Sequence, residues 1–235
     1  AIYGISFSPD NNLIATASGD KTVKLWTLDG KEKITLKGHT AAVYNVVFSR
    51  DGKLVATTSQ DKTVRIWDIS GHLITVLRGH TKSVDDVSFS RDQKQLVTAS
   101  RDGSVRLWEI TGKELKHLTD FQASFYSVTF SPDGQWIAAA GRDQLVWLWS
   151  KNGQLEGKFK GHKDAINSIN FSPDSRYLAT AANDGTSKLW SLKGQVINTF
   201  IGYQKPILDV AFSPDFQRVV TVSAQGRMMI WDLYK

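Results

Sequence analysis

No cysteine occurs anywhere in the 235 residues. Disulfide frameworks, thiolate nucleophiles and cysteine-ligated zinc or iron–sulfur centres are thereby excluded. Apolar runs never exceed a few residues, so no segment could cross a bilayer as a helix. No run of five like charges appears either. The net charge is +6, yet the basic residues are spread along the whole chain. That pattern reads as a mildly basic, solvated surface, not as a nucleic-acid or membrane-binding tract. No charged-then-apolar leader opens the chain. With the missing cysteines, this sets the expectation of a cytoplasmic protein without a membrane segment.

What the chain has is a period. Trp26, Trp67, Trp108, Trp149, Trp190 and Trp231 follow one another at steps of 41 residues. The same step joins Phe7, Phe48, Phe89, Phe130, Phe171 and Phe212, and it joins Ser8 to Ser213 and Asp10 to Asp215 through every copy. Registers kept through six copies without an insertion define an internal repeat.

Each copy reads as β structure. In the second, Val43, Val46 and Phe48 precede the turn Ser49-Arg50-Asp51-Gly52. Leu54 to Ser59 follows, then the turn Gln60-Asp61-Lys62, the run Thr63 to Trp67, and a short segment ending at Val76-Leu77. These are four short strands parted by turn residues. Both faces are apolar, so one copy cannot cover itself and the copies must stack. The expected fold is all-β: a six-bladed β-propeller of four-stranded antiparallel blades, forming one domain over residues 1–235. The chain is eleven residues short of six full copies, and the last lacks its outer strand. Either the biological chain is longer, or one blade keeps a bare edge. In each first strand the apolar positions run 43, 46, 48 and not in steps of two, which places a bulge near Tyr44-Asn45.

These features resemble the WD-repeat β-propeller family. Gly-His stands at Gly38-His39, Gly79-His80 and Gly161-His162. Trp-Asp stands at Trp67-Asp68 and Trp231-Asp232, with Trp108-Glu109 a softened copy. The resemblance implies a hydrogen-bonded tetrad in each complete blade: His39, Ser59, Asp61 and Trp67 in the second, and His80, Ser100, Asp102 and Trp108 in the third. The fourth copy has Phe121 and Gly141 in place of His and Ser. The fifth has Ala182, and the sixth Tyr203 and Gln225, so these three blades are expected to be held less rigidly.

Recurring Ser, His and Asp also suggest a hydrolase triad. Catalysis needs one site, however, whereas this set recurs by period beside a tryptophan. No catalytic residue, metal ligand or cofactor is expected; His72 and His117 each stand alone. Variation within the repeat points elsewhere. The register just inside the bulge holds Tyr3, Tyr44, Asp85, Tyr126, Asn167 and Leu208. The register before the turn aspartate holds Gly19, Gln60, Arg101, Arg142, Asn183 and Ala224. In the family both lie on one rim. Tyr3, Tyr44, Gln60, Asp85, Arg101, Tyr126, Arg142 and Asn183 are therefore the expected contacts for a protein or peptide partner, and the tyrosines and arginines suit an acidic, extended segment. The main expectation is a non-catalytic interaction scaffold. Alternatives are a nucleic-acid or anion binder using the basic balance, and a propeller enzyme. Trp136 and Trp147, extra tryptophans of the fourth copy, either pack or form an exposed patch.

Overall fold

The computed structural model describes residues 1–120 and 122–233; Phe121 lies outside them. It contains twenty-three strands and, among the described residues, no helix, hence none long and apolar enough to cross a membrane. The strands form six antiparallel sheets, five of four strands and a last of three. These are the six blades the repeat requires, and the sixth lacks its outer strand. The chain gathers into two compact units, residues 1–122 with blades 1 to 3 and residues 123–235 with blades 4 to 6.

Blade 2 shows how sequence becomes sheet. Its strands are Val43–Phe48, Leu54–Ser59, Val64–Asp68 and Leu73–Leu77. The first turn is built by the periodic Ser and Asp. Ser49 Oγ donates to Asp51 Oδ1 at 2.7 Å and accepts the Leu54 N–H at 2.9 Å. The residue after the aspartate takes a left-handed backbone, φ +70° at Gly52 and +74° at Gly134. Glycine adopts that conformation without steric cost.

Blades pack face to face within each unit. In the first, Ala15, Ala17, Val23, Leu25 and Leu36 of blade 1 meet Val43, Val46, Val55 and Trp67 of blade 2. The opposite face of blade 2 repeats the arrangement: Ala56, Val64, Ile66 and Leu77 meet Val84, Val87, Leu96 and Trp108 of blade 3. In the second unit Val146, Leu148 and Phe159 of blade 4 meet Ile166, Ile169 and Trp190 of blade 5, with Trp136 packed against the cluster. Blade 5 meets blade 6 through Leu189, Phe200, Ile207 and Val210. Each such aliphatic side chain contributes about 1.5–3 kcal/mol when fully buried.

A polar chain runs beneath each of three tryptophans, and its hydroxyl differs from the expected one. Trp67 Nε1 donates to Thr57 Oγ1 at 3.0 Å, Thr57 lies 2.8 Å from His39 Nε2, and His39 Nδ1 lies 2.7 Å from Asp61 Oδ2. The carboxylate only accepts, so Nδ1 carries the proton and Nε2 takes the threonine hydroxyl hydrogen. Ser59 sits two residues further along the strand. It donates to the Ala42 carbonyl at 2.9 Å and accepts the Asp61 N–H at 3.0 Å. Blade 3 repeats this with Thr98 between Trp108 and His80, His80 on Asp102, and Ser100 on the Ser83 carbonyl. Ser59 and Ser100 thus brace the turn, while Thr57 and Thr98 join histidine to tryptophan. The reason is geometric: the indole N–H reaches the hydroxyl near mid-strand, short of the strand's end.

The expectation for blade 5 is overturned for the same reason. Ala182 stands at the bracing position, and the chain Trp190–Thr180–His162–Asp184 is complete. In blade 6 Tyr203 Oη replaces the imidazole, donating to the Thr221 carbonyl at 2.8 Å, while Trp231 Nε1 donates to Thr221 Oγ1. Blade 4 holds Ala139 at the threonine register. There Trp147, 3% exposed, donates to Asp143 Oδ2 at 2.6 Å and stacks on Trp149 at 5.7 Å. Both extra tryptophans therefore pack. Gly141 is required in this blade, because a Cβ there would lie 2.1 Å from the Ser124 carbonyl oxygen.

Burial opposes the charge on Asp61, but hydrogen bonds from His39, Thr63 and the Thr40 N–H outweigh it and hold the carboxyl well below the usual range. Asp102 and Asp184 are lowered in the same way. Burial pushes the His162 imidazole below its ordinary value against the pull of Asp184.

Two outcomes follow. Thr57→Val keeps the shape but leaves a buried indole N–H and imidazole nitrogen unpaired, and costs about 1–3 kcal/mol in urea unfolding. Thr57→Ser stays close to the parent, and Ser59→Ala leaves the His39 ring resonances in place while Thr57→Val moves them. Secondly, Asp61, Asp102, Asp184 and His162 each bind a proton more readily when unfolded. Stability is therefore fully present near neutral pH and is lost on acidification, first as pH falls below about 6.5 through His162, then below about 4 through the aspartates. Thermal melts across pH 8 to 3 check this; His162→Asn removes the first limb and leaves the second.

Candidate partner-binding site

The expected bulge is present in every blade, and it does more than bend a strand. In blade 2 the pairing runs Val43 with Ser59, then Asn45 with Thr58, so Tyr44 has no cross-strand partner. The residue skipped is Tyr3 in blade 1, Asp85 in blade 3, Tyr126 in blade 4, Asn167 in blade 5 and Leu208 in blade 6. This is the variable register, one side chain per blade released from the ladder.

The second variable register is brought beside it by one backbone hydrogen bond per blade. The Gln60 N–H donates to the Ala42 carbonyl, Arg101 to Ser83, Arg142 to Ser124 and Asn183 to Ala165. Each of these carbonyls lies just before the first strand. The turn residue is therefore held against the start of the bulged strand.

In the first unit these positions form a continuous array over three blades. The rings of Tyr3 and Tyr44 meet edge to face with centroids 5.6 Å apart. The Arg101 guanidinium lies 5.6 Å from the centre of the Tyr44 ring. Arg101 Nε donates to Asp85 Oδ2 at 2.8 Å and to Oδ1 at 3.1 Å. The Asp85 side chain is 11% exposed and that of Arg101 50% exposed. Burial pushes the Asp85 carboxyl above its ordinary value, while the Arg101 hydrogen bonds and charge pull it back. Tyr3 is 57% exposed, and Gln60, at the turn register of blade 2, is exposed as well. In the second unit Asn167 Nδ2 donates to Asn183 Oδ1 at 2.7 Å, Tyr126 is half-buried and Arg142 is exposed.

Sequence reasoning passed over the next residue of each first strand. Asn45 Nδ2 donates to Asp86 Oδ1 of the following blade at 2.6 Å, and each side chain also caps the next backbone N–H of its own strand. Ser168 bridges to Asp209 in the same manner at 2.7 Å. At this register blade 1 has Gly4, where a Cβ would lie 2.8 Å from the Tyr44 carbonyl oxygen. The signal was available: Gly4, Asn45, Asp86, Ser127, Ser168 and Asp209 are small or polar within strands otherwise apolar at fixed period.

Other chemistry is poorly served. The threonines on Nε2 of His39, His80 and His162, namely Thr57, Thr98 and Thr180, are each 0% exposed, so no substrate could reach those hydroxyls. Among the described residues no group of three His, Asp or Glu side chains could hold a metal ion. Several surface cations are matched by carboxylates, as in Lys24–Glu32, Lys31–Asp29, Arg106–Glu114 and Arg218–Asp232. A groove of about 410 Å³ opens where blade 6 lacks its fourth strand, lined by residues 198–201 and 230–232.

Residues 1–150 match the profile of the family described as IFT122 first beta-propeller, and residues 153–191 and 194–232 each match that of the WD domain, G-beta repeat. No curated protein matches the chain. Propellers of these kinds are generally protein-interaction scaffolds and typically non-enzymatic. With more than half of its length under the first profile, the chain belongs to the IFT122 first beta-propeller family, and its last two copies match the WD repeat.

Proposed function

We propose that this chain is a non-catalytic scaffold that holds an extended segment of a protein partner on the bulge-and-turn rim. One observation carries the reading: Tyr3, Tyr44, Arg101 and Asp85, from three successive blades, touch in a chain on one surface. The contacts fix these side chains before any ligand arrives, so little rotamer entropy is lost on binding. Tyrosine and arginine also provide large contact area together with hydrogen bonding. An extended segment suits an array that advances blade by blade, and an acidic one suits Arg101. Tyr126, Arg142 and Asn183 offer the same two registers in the second unit.

The test is selection of peptides from a display library on the intact chain, followed by affinity measurement on Tyr44→Ala and Tyr3→Ala. A loss of about tenfold or more on either variant, corresponding to about 1.4 kcal/mol, with Lys31→Ala unchanged, is the expected result. Equal affinity for all four proteins would place the contact surface elsewhere.

A further inference from the structure

The pairing of Arg101 with Asp85 has a direction that bears on what the rim recognises. Both hydrogen bonds to the carboxylate leave from Nε, at 2.8 and 3.1 Å. A guanidinium is a rigid planar fork, so holding Nε on a carboxylate beside an aromatic ring restricts where the two Nη groups can lie. Tyr44 supplies that ring, 5.6 Å away, and Tyr3 backs Tyr44 in turn. The counter-charge is set deep, with Asp85 11% exposed and Arg101 50% exposed. A ligand approaching from solvent therefore meets the cation before the acid. Asp85 is itself anchored: its backbone carbonyl accepts from Thr58 Oγ1 of the neighbouring blade at 3.2 Å. It is also the bulged residue of its strand, released from cross-strand pairing.

We infer that Arg101 is the residue of this rim that reads a carboxylate on the partner's segment, through the Nη edge of its fork, and that Asp85 and Tyr44 are its positioning residues. This rests on the peptide-binding reading above and adds the chemistry of one contact. It separates cleanly from general attraction by a basic surface. If charge alone mattered, removing Asp85 would make the rim more positive and strengthen binding to an acidic peptide. If orientation matters, removing Asp85 weakens it, against the electrostatic trend.

The probe is a fluorescein-labelled octaglutamate peptide, with octalysine as the counter-probe, followed by anisotropy at low ionic strength, where exposed charges are least screened. Asp85→Ala is expected to lose about tenfold in affinity. Asp85→Asn, whose amide oxygen still accepts from Nε, keeps most of the binding. Arg101→Lys, which keeps the charge and loses the fork, falls as far as Asp85→Ala. Thermal melts of each variant confirm folding, and a misfolded Asp85→Ala is replaced by the contrast of Arg101→Lys with Asp85→Asn. Tighter binding by Asp85→Ala, parent-like binding by Arg101→Lys, or no preference of the parent for octaglutamate over octalysine would each overturn the assignment. Library peptides that depend on Tyr44 while octaglutamate ignores Asp85 would leave the scaffold reading standing without it. Library peptides indifferent to Tyr44 and Tyr3 would remove the scaffold reading itself.

Discussion

A four-stranded sheet that is apolar on both faces has no stable existence alone, and the architecture within each unit follows from that constraint. The aliphatic face of one blade must meet the tryptophan face of the next, as Leu25 and Leu36 meet Trp67. An indole brought into such an interface carries one N–H that must find an acceptor. Thr57 supplies it, and the same hydroxyl passes its own hydrogen to His39, which passes the demand to Asp61. The polar chain thus ties the third strand to the second, to the incoming Gly-His segment and to the following turn. An insertion within the strands or the turn that carry these four residues would move one of them out of reach. The constant step of 41 residues is the mark of that requirement.

The same economy leaves function a place to vary. One extra residue in each first strand frees a side chain from the ladder, and one backbone hydrogen bond sets the turn residue beside it. Neither position contributes to the clusters that hold the blades together. Substitution there changes the surface at little cost to the fold, so a binding site can be written onto a scaffold whose interior stays constant. Blade 3 illustrates the point. Asp85 and Arg101 form an ion pair where blade 5 has Asn167 and Asn183, on the same backbone and in the same registers.

Sequence made the fold legible because its signals are periodic: tryptophans, turn aspartates and the 43, 46, 48 spacing each recur, and the bulge falls where that spacing puts it. The two variable registers were legible for the same reason, and their shared rim from the resemblance to WD-repeat propellers. Which hydroxyl partners the tryptophan was not. Ser59 and Thr57 both lie on the second strand, two residues apart and hence on the same face, and only the reach of the indole from Trp67 separates them. Within the rim, Tyr44 and Arg101 stand 57 positions apart in different blades, and no local pattern shows that one lies over the other. Likewise the Asn45–Asp86 bridge depends on how closely neighbouring first strands approach, a distance set by packing.

Blades that depart from the common chain show that its members can be replaced separately. A carboxylate buried beside an unpaired neighbour would be worse than no polar group at all. Blade 4 keeps Asp143 without a threonine at its mid-strand register, and its missing donor is supplied by Trp147, itself stacked on Trp149. Blade 6 keeps the threonine and gives up both charged partners, Gln225 standing for the aspartate and Tyr203 for the histidine; the phenol satisfies Thr221 from the position the imidazole would occupy. Across blades the turn carboxylates that occur are satisfied, and the periodic indole donates to a threonine in every blade but the fourth, where Trp149 stacks on Trp147 beside Ala139; the Gly-His and Trp-Asp signatures are one solution among several. A blade lacking the signature residues is for that reason not an unsupported blade.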